Sequence, residues 1–169
     1  MTVAGALPSH LVTLDLHLRD MILADIPVFF EEQLDPVANR MAAFTAKDPT
    51  DRESFTAHWL TALQDGIVIA KTIILEGRVA GYVASFDRVG KREVSYWIGR
   101  PNWGRGVATL ALSRFLCEYT TRPLYARTVK DHAASLRVLS KCGFTIIRED
   151  SGFANARGSA VEEFILELL

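Results

Sequence analysis

The chain has 169 residues, of which 49% are hydrophobic and 23% charged, so it is long enough for one domain and too apolar for a disordered polypeptide. Its net charge of −1 argues against a nucleic-acid partner. Because no apolar run approaches the roughly 20 residues that span a bilayer, and the N-terminal MTVAGALPSH lacks a leader's basic and apolar segments, we expect a cytoplasmic protein with a single domain over residues 1–169 and no membrane partner.

The first half of the chain predicts one strand and two helices. Apolar and polar residues alternate in VTLDLHLR, residues 12–19, as is typical of a half-buried strand. Apolar residues at three- and four-residue spacing predict a helix from roughly Ile22 to Leu34. The run from Thr50 to Glu53 has the capping-box pattern, which predicts the start of a second helix, and Gly66 ends it.

The second half predicts a sheet that continues into alternating helices and strands. Runs of β-branched and aromatic residues separated by short turns predict an antiparallel meander from Ile67 to Ile98. Beyond it we expect a helix from about Val107 to Tyr119, a strand LYARTV, a helix from about His132 to Cys142 closed by Gly143, and the strands FTIIRE and EEFILEL. This order, βααβββαβαββ, predicts an α/β (α+β) fold with a mixed, mostly antiparallel central sheet and flanking helices.

Cys117 and Cys142 are the two cysteines of the chain. Each lies in a helical apolar pattern, where a buried, reduced thiol is commoner than a catalytic one. No histidine or cysteine lies at metal-ligand spacing, so we expect no metal.

The segment that says most about chemistry is a strand that runs into Gly104 and Gly106 and then into a helix. Glycines let the backbone approach a ligand closely, and the free N–H groups of a helix's first turn favour a phosphate or pyrophosphate. A lone Gly-x-Gly is explained at least as well by a tight turn. A dinucleotide-binding fingerprint fits poorly, because Thr109 stands at the third glycine position and the preceding strands form no βαβ unit.

Two separated motifs resemble those of the GCN5-related N-acetyltransferase (GNAT) family, and within it the RimJ/RimL-like branch of ribosomal-protein N-terminal acetyltransferases. One motif is the strand EVSYWIG with the loop PNWGRGVAT, together residues 93–109. The other is residues 129–144, which look like the branch's Asn-x-x-Ser helix ending in Gly-Phe. The resemblance covers nearly the whole chain and implies the GNAT fold.

The resemblance implies an acyl-CoA-dependent N-acetyltransferase with acetyl-CoA as co-substrate in a V-shaped opening between the strands EVSYWIG and LYARTV. It implies that backbone N–H groups from Gly104 to Thr109 bind the pyrophosphate. A backbone N–H near Trp97 or Ile98 should polarise the thioester carbonyl while the amine attacks directly. The residues expected to contact the coenzyme are Trp97, Ile98, Trp103, Gly104, Arg105, Gly106, Val107, Ala108, Thr109 and His132.

Three positions depart from the general family pattern. Trp103 stands where the family motif begins with Gln or Arg, a replacement usual in the RimJ/RimL-like branch. His132 replaces an asparagine that contacts the coenzyme arm, and it keeps hydrogen-bonding capacity with a different reach. Leu139 replaces the tyrosine that other branches use as general acid. Ser135 is therefore the candidate catalytic proton donor, and a serine that bonds its own helix backbone is the alternative.

Glu93 is the candidate catalytic base. It begins the strand EVSYWI, where several relatives carry a carboxylate, and period two places it on the same face as Ser95 and Trp97. The alternative is a solvated charge at the strand end, beside Lys91 and Arg92.

The acceptor amine must lose a proton before it attacks. A lysine or polyamine nitrogen with a pKa near 10.4 requires roughly 4 kcal/mol for this near pH 7.4, whereas an α-amine near 7.7–8.0 requires less than about 1 kcal/mol. The difference slightly favours an α-amine, and the resemblance to the RimJ/RimL-like branch implies the same, a protein or peptide N-terminus as the acceptor. A small-molecule amine (a polyamine or an antibiotic), a non-catalytic acyl-CoA-binding module and a homodimer all stay open.

Overall fold

The computed structural model describes residues 13–169, so Val12 of the first predicted strand and the segment MTVAGALPSH lie outside it. The strands are β1 (Leu16–Asp20), β2 (Ile69–Leu75), β3 (Arg78–Arg88), β4 (Lys91–Ile98), β5 (Leu124–Val129), β6 (Thr145–Ala154) and β7 (Ser159–Leu168). The α-helices are α1 (Ile26–Gln33), α2 (Pro36–Ala42), α3 (Arg52–Gln64), α4 (Val107–Glu118) and α5 (Ala133–Lys141). Within residues 13–169 no helix is long and apolar enough to cross a membrane.

The strands form one sheet in the order β1-β2-β3-β4-β5-β7-β6. All neighbouring pairs are antiparallel except β4 and β5, which run parallel. A parallel pair needs a crossover connection, and α4 supplies it. The predicted α/β (α+β) fold with a mixed, mostly antiparallel sheet is therefore confirmed.

The N-terminal helical region differs from its prediction. In place of one helix from Ile22 to Leu34, a short 3-10 turn leads into α1, and a separate helix α2 begins at Pro36. The N–H groups of a first helical turn have no partner within the helix, so proline, which has no N–H, fits there. Asp35 caps α2 by accepting hydrogen bonds from two backbone N–H groups. The observed order is thus βαααβββαβαββ, with one helix more than predicted.

Helix α3 begins one residue later than the capping-box pattern indicates. Its N-cap is Asp51, whose Oδ1 accepts a hydrogen bond from the N–H of Ser54 at 2.9 Å. The hydroxyl of Thr50 donates instead to Asp48. Both Thr50 and Asp51 are residue types that cap helices, so the sequence allowed either start.

Helices cover both faces of the sheet. Helices α4 and α5 pack on one face, where Leu112, Phe115 and Leu139 are almost fully buried. On the other face α1 and α3 enclose an aromatic cluster of Phe29, Trp59 and Tyr82, in which the rings of Trp59 and Tyr82 are 4.8 Å apart. These two layers fix the positions of the strands between them.

The cysteines correct one expectation. Cys117 is exposed rather than buried. The side of α4 that packs on the core is the opposite one, which carries the buried residues Val107, Ala111, Leu112 and Phe115. Cys142 is half-buried at the end of α5.

Candidate active site

Strands β4 and β5 separate soon after they meet. They pair at Glu93 and Tyr125, whereas β4 stays paired with β3 along its whole length. Among residues 13–169, no strand therefore lies beside the edge of β4 from Val94 to Ile98. The two strands diverge toward the C-terminal end of β4, as expected for the V-shaped opening between EVSYWIG and LYARTV.

Alternation along β4 decides which backbone groups face this opening. The N–H of Gly99 donates to a carbonyl of β3 at 3.0 Å. The carbonyl oxygen of Trp97 is also directed at β3, because a Cβ built on Gly81 would lie 1.9 Å from it. Backbone groups of an antiparallel strand point alternately to either side. The N–H groups of Tyr96 and Ile98 thus face the opening, and that of Trp97 faces β3.

The glycine loop, Trp103 to Gly106, connects this strand with α4. Gly104 and Gly106 have φ angles of 72° and 77°, in the left-handed region that favours glycine. Beyond its chain neighbours, a Cβ built on either residue would meet no atom of the described residues within 4 Å. The space above the loop is therefore open to a ligand.

The first turn of α4 supplies hydrogen-bond donors to that space. The first bond into the helix runs from the N–H of Leu110 to the carbonyl of Gly106, and no side chain caps the helix. The N–H groups of Val107, Ala108 and Thr109 therefore have no partner within the helix. Free N–H groups at the positive end of a helix fit a phosphate or pyrophosphate.

Trp103 and Arg105 hold the loop in place. The indole N–H of Trp103 donates to the carbonyl of Ile98 at 2.8 Å, and its ring packs against the core. The guanidinium of Arg105 pairs with Glu76 in the turn between β2 and β3. Trp103 thus ties the loop to the end of β4, which gives it a positioning role.

His132 is the N-cap of α5. Its Nδ1 accepts a hydrogen bond from the N–H of Ser135 at 3.4 Å. Burial lowers the pKa of the His132 imidazole, and the nearby Asp131 only partly opposes this effect. The lowered pKa favours the neutral ring, which a ring nitrogen that accepts a hydrogen bond requires. His132 also lines a surface cleft of about 490 Å³ between α2 and the start of α5.

Tyr96 joins the site without having been singled out from the sequence. Its hydroxyl lies 2.9 Å from the Oγ of Ser135, so the pair links β4 to α5 where β4 and β5 have separated. Burial raises the pKa of Tyr96 to about 12, which keeps the phenol protonated. The period of two placed Tyr96 on the face opposite Glu93, but no sequence signal indicated that Ser135 would oppose it.

Glu93 lies at the closed end of the opening. It is 5% exposed, and the Nε of Arg127 donates to its Oε1 at 2.9 Å, so the alternative of a solvated charge does not describe it. Arg127 also donates to Glu163 at 2.8 Å. At the rise of a strand, Glu93 is about 16 Å from Ile98. The structure does not bring this carboxylate to the N–H that faces the opening there.

Glu32, on α1, is a second carboxylate that the sequence did not single out. A Cβ built on Gly99 would lie 2.5 Å from its Oε1, so the carboxyl group packs on the backbone just beyond Ile98. Its Oε2 is buried and has no hydrogen-bond partner among residues 13–169. Burial raises the pKa of Glu32 to about 7.

Known proteins identify the family. The model for the acetyltransferase (GNAT) domain matches residues 15–145, more than half of the chain. This chain belongs to the GNAT family. As a GNAT protein it is an acyl-CoA-dependent N-acetyltransferase, which transfers an acyl group from its co-substrate acetyl-CoA to an amine. No curated protein sequence matches the chain.

Solved structures share this GNAT fold. A ribosomal-protein-alanine N-acetyltransferase from Brucella melitensis has 20% identity and a TM-score of 0.76 over 90% of this chain and 99% of its own. RimJ of Mycobacterium smegmatis, in complex with CoA-disulfide, has 18% identity and a TM-score of 0.73 over 90% and 81%. The microcin C7 self-immunity acetyltransferase MccE, in complex with acetyl-CoA and AMP, has 17% identity and a TM-score of 0.75 over 91% and 92%.

Proposed function

We propose that this GNAT enzyme acetylates the α-amine at the N-terminus of a protein or peptide, by direct attack of the amine within a ternary complex. The observation that carries the proposal is the separation of β4 from β5, which turns the N–H of Ile98 toward an opening that leads to the glycine loop. Acetyl-CoA supplies an acyl group already activated as a thioester. The protein's part is to position that group and to manage protons.

Each part of the opening has a distinct task in this proposal. The N–H groups of Val107, Ala108 and Thr109 hold the pyrophosphate, and the left-handed glycines before them leave room for it. The N–H of Ile98 donates to the carbonyl oxygen as negative charge develops there. The Tyr96–Ser135 pair lies on the side of α5 and provides a proton for the departing sulfur.

The acceptor assignment rests on the free energy of deprotonation. An α-amine requires less than about 1 kcal/mol near neutral pH and a lysine or polyamine amine roughly 4 kcal/mol, so the α-amine makes the smaller demand on the protein. The deciding experiment measures thiol release with three matched peptides: one with a free N-terminus and no lysine, its N-acetylated form, and the N-acetylated form with one lysine. We expect turnover with the first alone. Faster turnover with polyamines or aminoglycosides would assign a small-molecule acceptor instead.

Gly106→Val is expected to weaken CoA binding tenfold or more. A valine at this position would project into the open space in which the proposal places the pyrophosphate. Isothermal titration with CoA measures the effect. Gly90→Val is the matched control, because Gly90 has a similar φ of 73° and open surroundings but lies in the turn between β3 and β4. An unchanged dissociation constant in folded Gly106→Val would contradict this role of the loop.

Ser135→Ala is expected to lower kcat about 10- to 100-fold with little change in CoA affinity, the loss of one hydrogen bond worth about 1–3 kcal/mol. Tyr96→Phe should lower kcat in the same range, because the two hydroxyls bond to each other. Ser140→Ala removes an exposed hydroxyl from the same helix and should be silent. Single-turnover kinetics measure these effects. Full turnover in both hydroxyl variants would mean that the thiolate leaves unaided.

A further inference from the structure

Glu32 carries a feature that the proposed function does not yet use: a buried carboxylate oxygen without a partner among residues 13–169, beside the open end of β4. We propose that Glu32 is the general base of this enzyme and takes the proton from the acceptor's ammonium group. This inference rests on the proposed function and names the residue that makes the amine reactive.

The position of Glu32 matches that task. Its Oε1 packs against the backbone of Gly99, which follows Ile98 at one Cα spacing of about 3.8 Å. A Cβ built on Gly99 would point toward Glu32. Side chains two residues apart in a strand share a face, so the side chain of Trp97 lies on the same face of the sheet as Glu32. Glu32 is therefore next to the N–H that would hold the acyl carbonyl, on the α1 and α3 face of the sheet.

The two proton-handling groups lie on opposite faces. The Tyr96–Ser135 pair is on the face covered by α4 and α5, whereas Glu32 is on the face covered by α1 and α3. An amine that enters beside Glu32 approaches the acyl carbon from one side, while the sulfur departs toward Ser135 on the other. The base that takes the proton from nitrogen is thus kept apart from the hydroxyl pair that serves the sulfur.

The surroundings of Glu32 fit an ammonium ion. Buried polar atoms nearly always have a hydrogen-bond partner, yet the Oε2 of Glu32 lacks one in the described part of the chain. Trp97 lies opposite Tyr82 in the register of β3 and β4, so two aromatic rings flank this region. An ammonium would donate to Oε2 and would be attracted to the aromatic faces.

The nearby charges leave Glu32 free to titrate. Burial, and then the charge of Glu32 itself, raise the pKa of Tyr82, which therefore stays neutral. Arg100, next to Gly99, pairs with Asp35 at 3.2 Å and does not bond Glu32. Burial alone raises the pKa of Glu32, to about 7. The equilibrium for transfer of a proton from an α-ammonium group with a pKa near 7.7–8.0 to such a carboxylate is unfavourable by about tenfold or less. For a lysine ammonium the same equilibrium is unfavourable by more than about a thousandfold.

The protons and electron pairs balance in this step. Of the ammonium's three protons, one passes to Glu32, one is lost to water after the C–N bond has formed, and one remains in the amide product. The nitrogen lone pair forms the C–N bond, and the C–S bond breaks with its electron pair on sulfur. The Tyr96–Ser135 pair gives the sulfur a proton and takes one back from water, and Glu32 returns its own to water.

The test compares three variants of the full chain with the best acceptor from the peptide experiment. Glu32→Gln should lower kcat/KM about 100-fold or more and remove the rise of kcat/KM near pH 7, with CoA affinity unchanged. Glu31→Gln is the matched control, because Glu31 precedes it on α1, is exposed and pairs with Arg52. Glu93→Gln tests the other carboxylate under the same conditions.

The outcomes separate this inference from the proposed function. If Glu32→Gln keeps kcat/KM within threefold of the parent enzyme, or if only Glu93→Gln loses the rise near pH 7, Glu32 is not the base although the acetyltransferase activity stands. If the parent enzyme turns over no α-amine, the proposed acceptor is wrong and the inference falls with it.

A stability measurement checks the environment of Glu32 without any substrate. The pKa of the Glu32 carboxyl rises from 4.5 to about 7 on folding, so the folded state keeps this proton to a higher pH than the unfolded state does. The free energy of unfolding therefore falls as the pH rises from about 4.5 through 7. The glutamine of Glu32→Gln is neutral at every pH, so this variant should not show the decrease in stability. Its Tm should therefore exceed that of the parent at pH 8 but not at pH 4. Equal Tm differences at both pH values would contradict the buried, unpaired carboxylate.

Discussion

Gly81→Ala is expected to lower the free energy of unfolding by about 3 kcal/mol or more and to weaken acetyl-CoA binding at the same time. Gly81 has a φ of 146°, where an L side chain is strained, and its Cβ would lie 1.9 Å from the carbonyl oxygen of Trp97. The obstacle is backbone, so β4 itself must move. This shift would displace the N–H of Ile98 at the opening. Urea denaturation and acetyl-CoA titration measure the two effects.

The control for Gly81 is Gly77→Ala in the turn between β2 and β3. Gly77 has a φ of 77° but open surroundings, so this variant reports backbone strain of about 1 kcal/mol without a collision. If both variants lose the same small amount of stability, β4 does not approach β3 as closely as the structure indicates.

Arg127→Leu is expected to lower the free energy of unfolding by about 3–5 kcal/mol at pH 7, because it leaves two buried carboxylates without their shared cation. Burial lowers the pKa of Arg127, but the hydrogen bonds and charges of Glu93 and Glu163 raise it by more. The guanidinium therefore stays charged at neutral pH. Below the unfolded pKa of Arg127 its contribution to stability is constant with pH. Urea denaturation at several pH values is the measurement.

Arg148→Leu is the control, because the exposed Arg148 lies 3.5 Å from Asp150 and should contribute within about 0.5 kcal/mol. A loss below about 1 kcal/mol in Arg127→Leu would mean that Glu93 and Glu163 are satisfied by other groups.

Local patterns predicted the elements where the period was clear. The sequence predicted the strand LYARTV and a helix from about Val107, and the structure has both. The N-terminal helices were predicted less well, because Pro36 is compatible both with a break and with a first helical turn. A single sequence does not distinguish these two roles of proline.

The candidate site divides in the same way. The glycine loop is contiguous, so its glycines and the helix start could be identified from the sequence together with the family resemblance. The side-chain contacts around the site join distant segments: Tyr96 and Ser135 are 39 positions apart, and Arg127 is 34 from Glu93 and 36 from Glu163. Their contacts depend on the strand order β4-β5-β7 and on the packing of α5, which periodicity does not specify.

The sequence by itself determined the class of fold, the loop that follows β4 and the family to which the chain belongs, because these depend on local period and on contiguous motifs. Only the tertiary structure decided how the carboxylates differ. It placed Glu93 against Arg127 and left Glu32 Oε2 without a partner among the described residues beside Gly99. Burial and pairing are properties of three-dimensional neighbours, and they alone distinguish a structural ion pair from a carboxylate that is available to accept a proton.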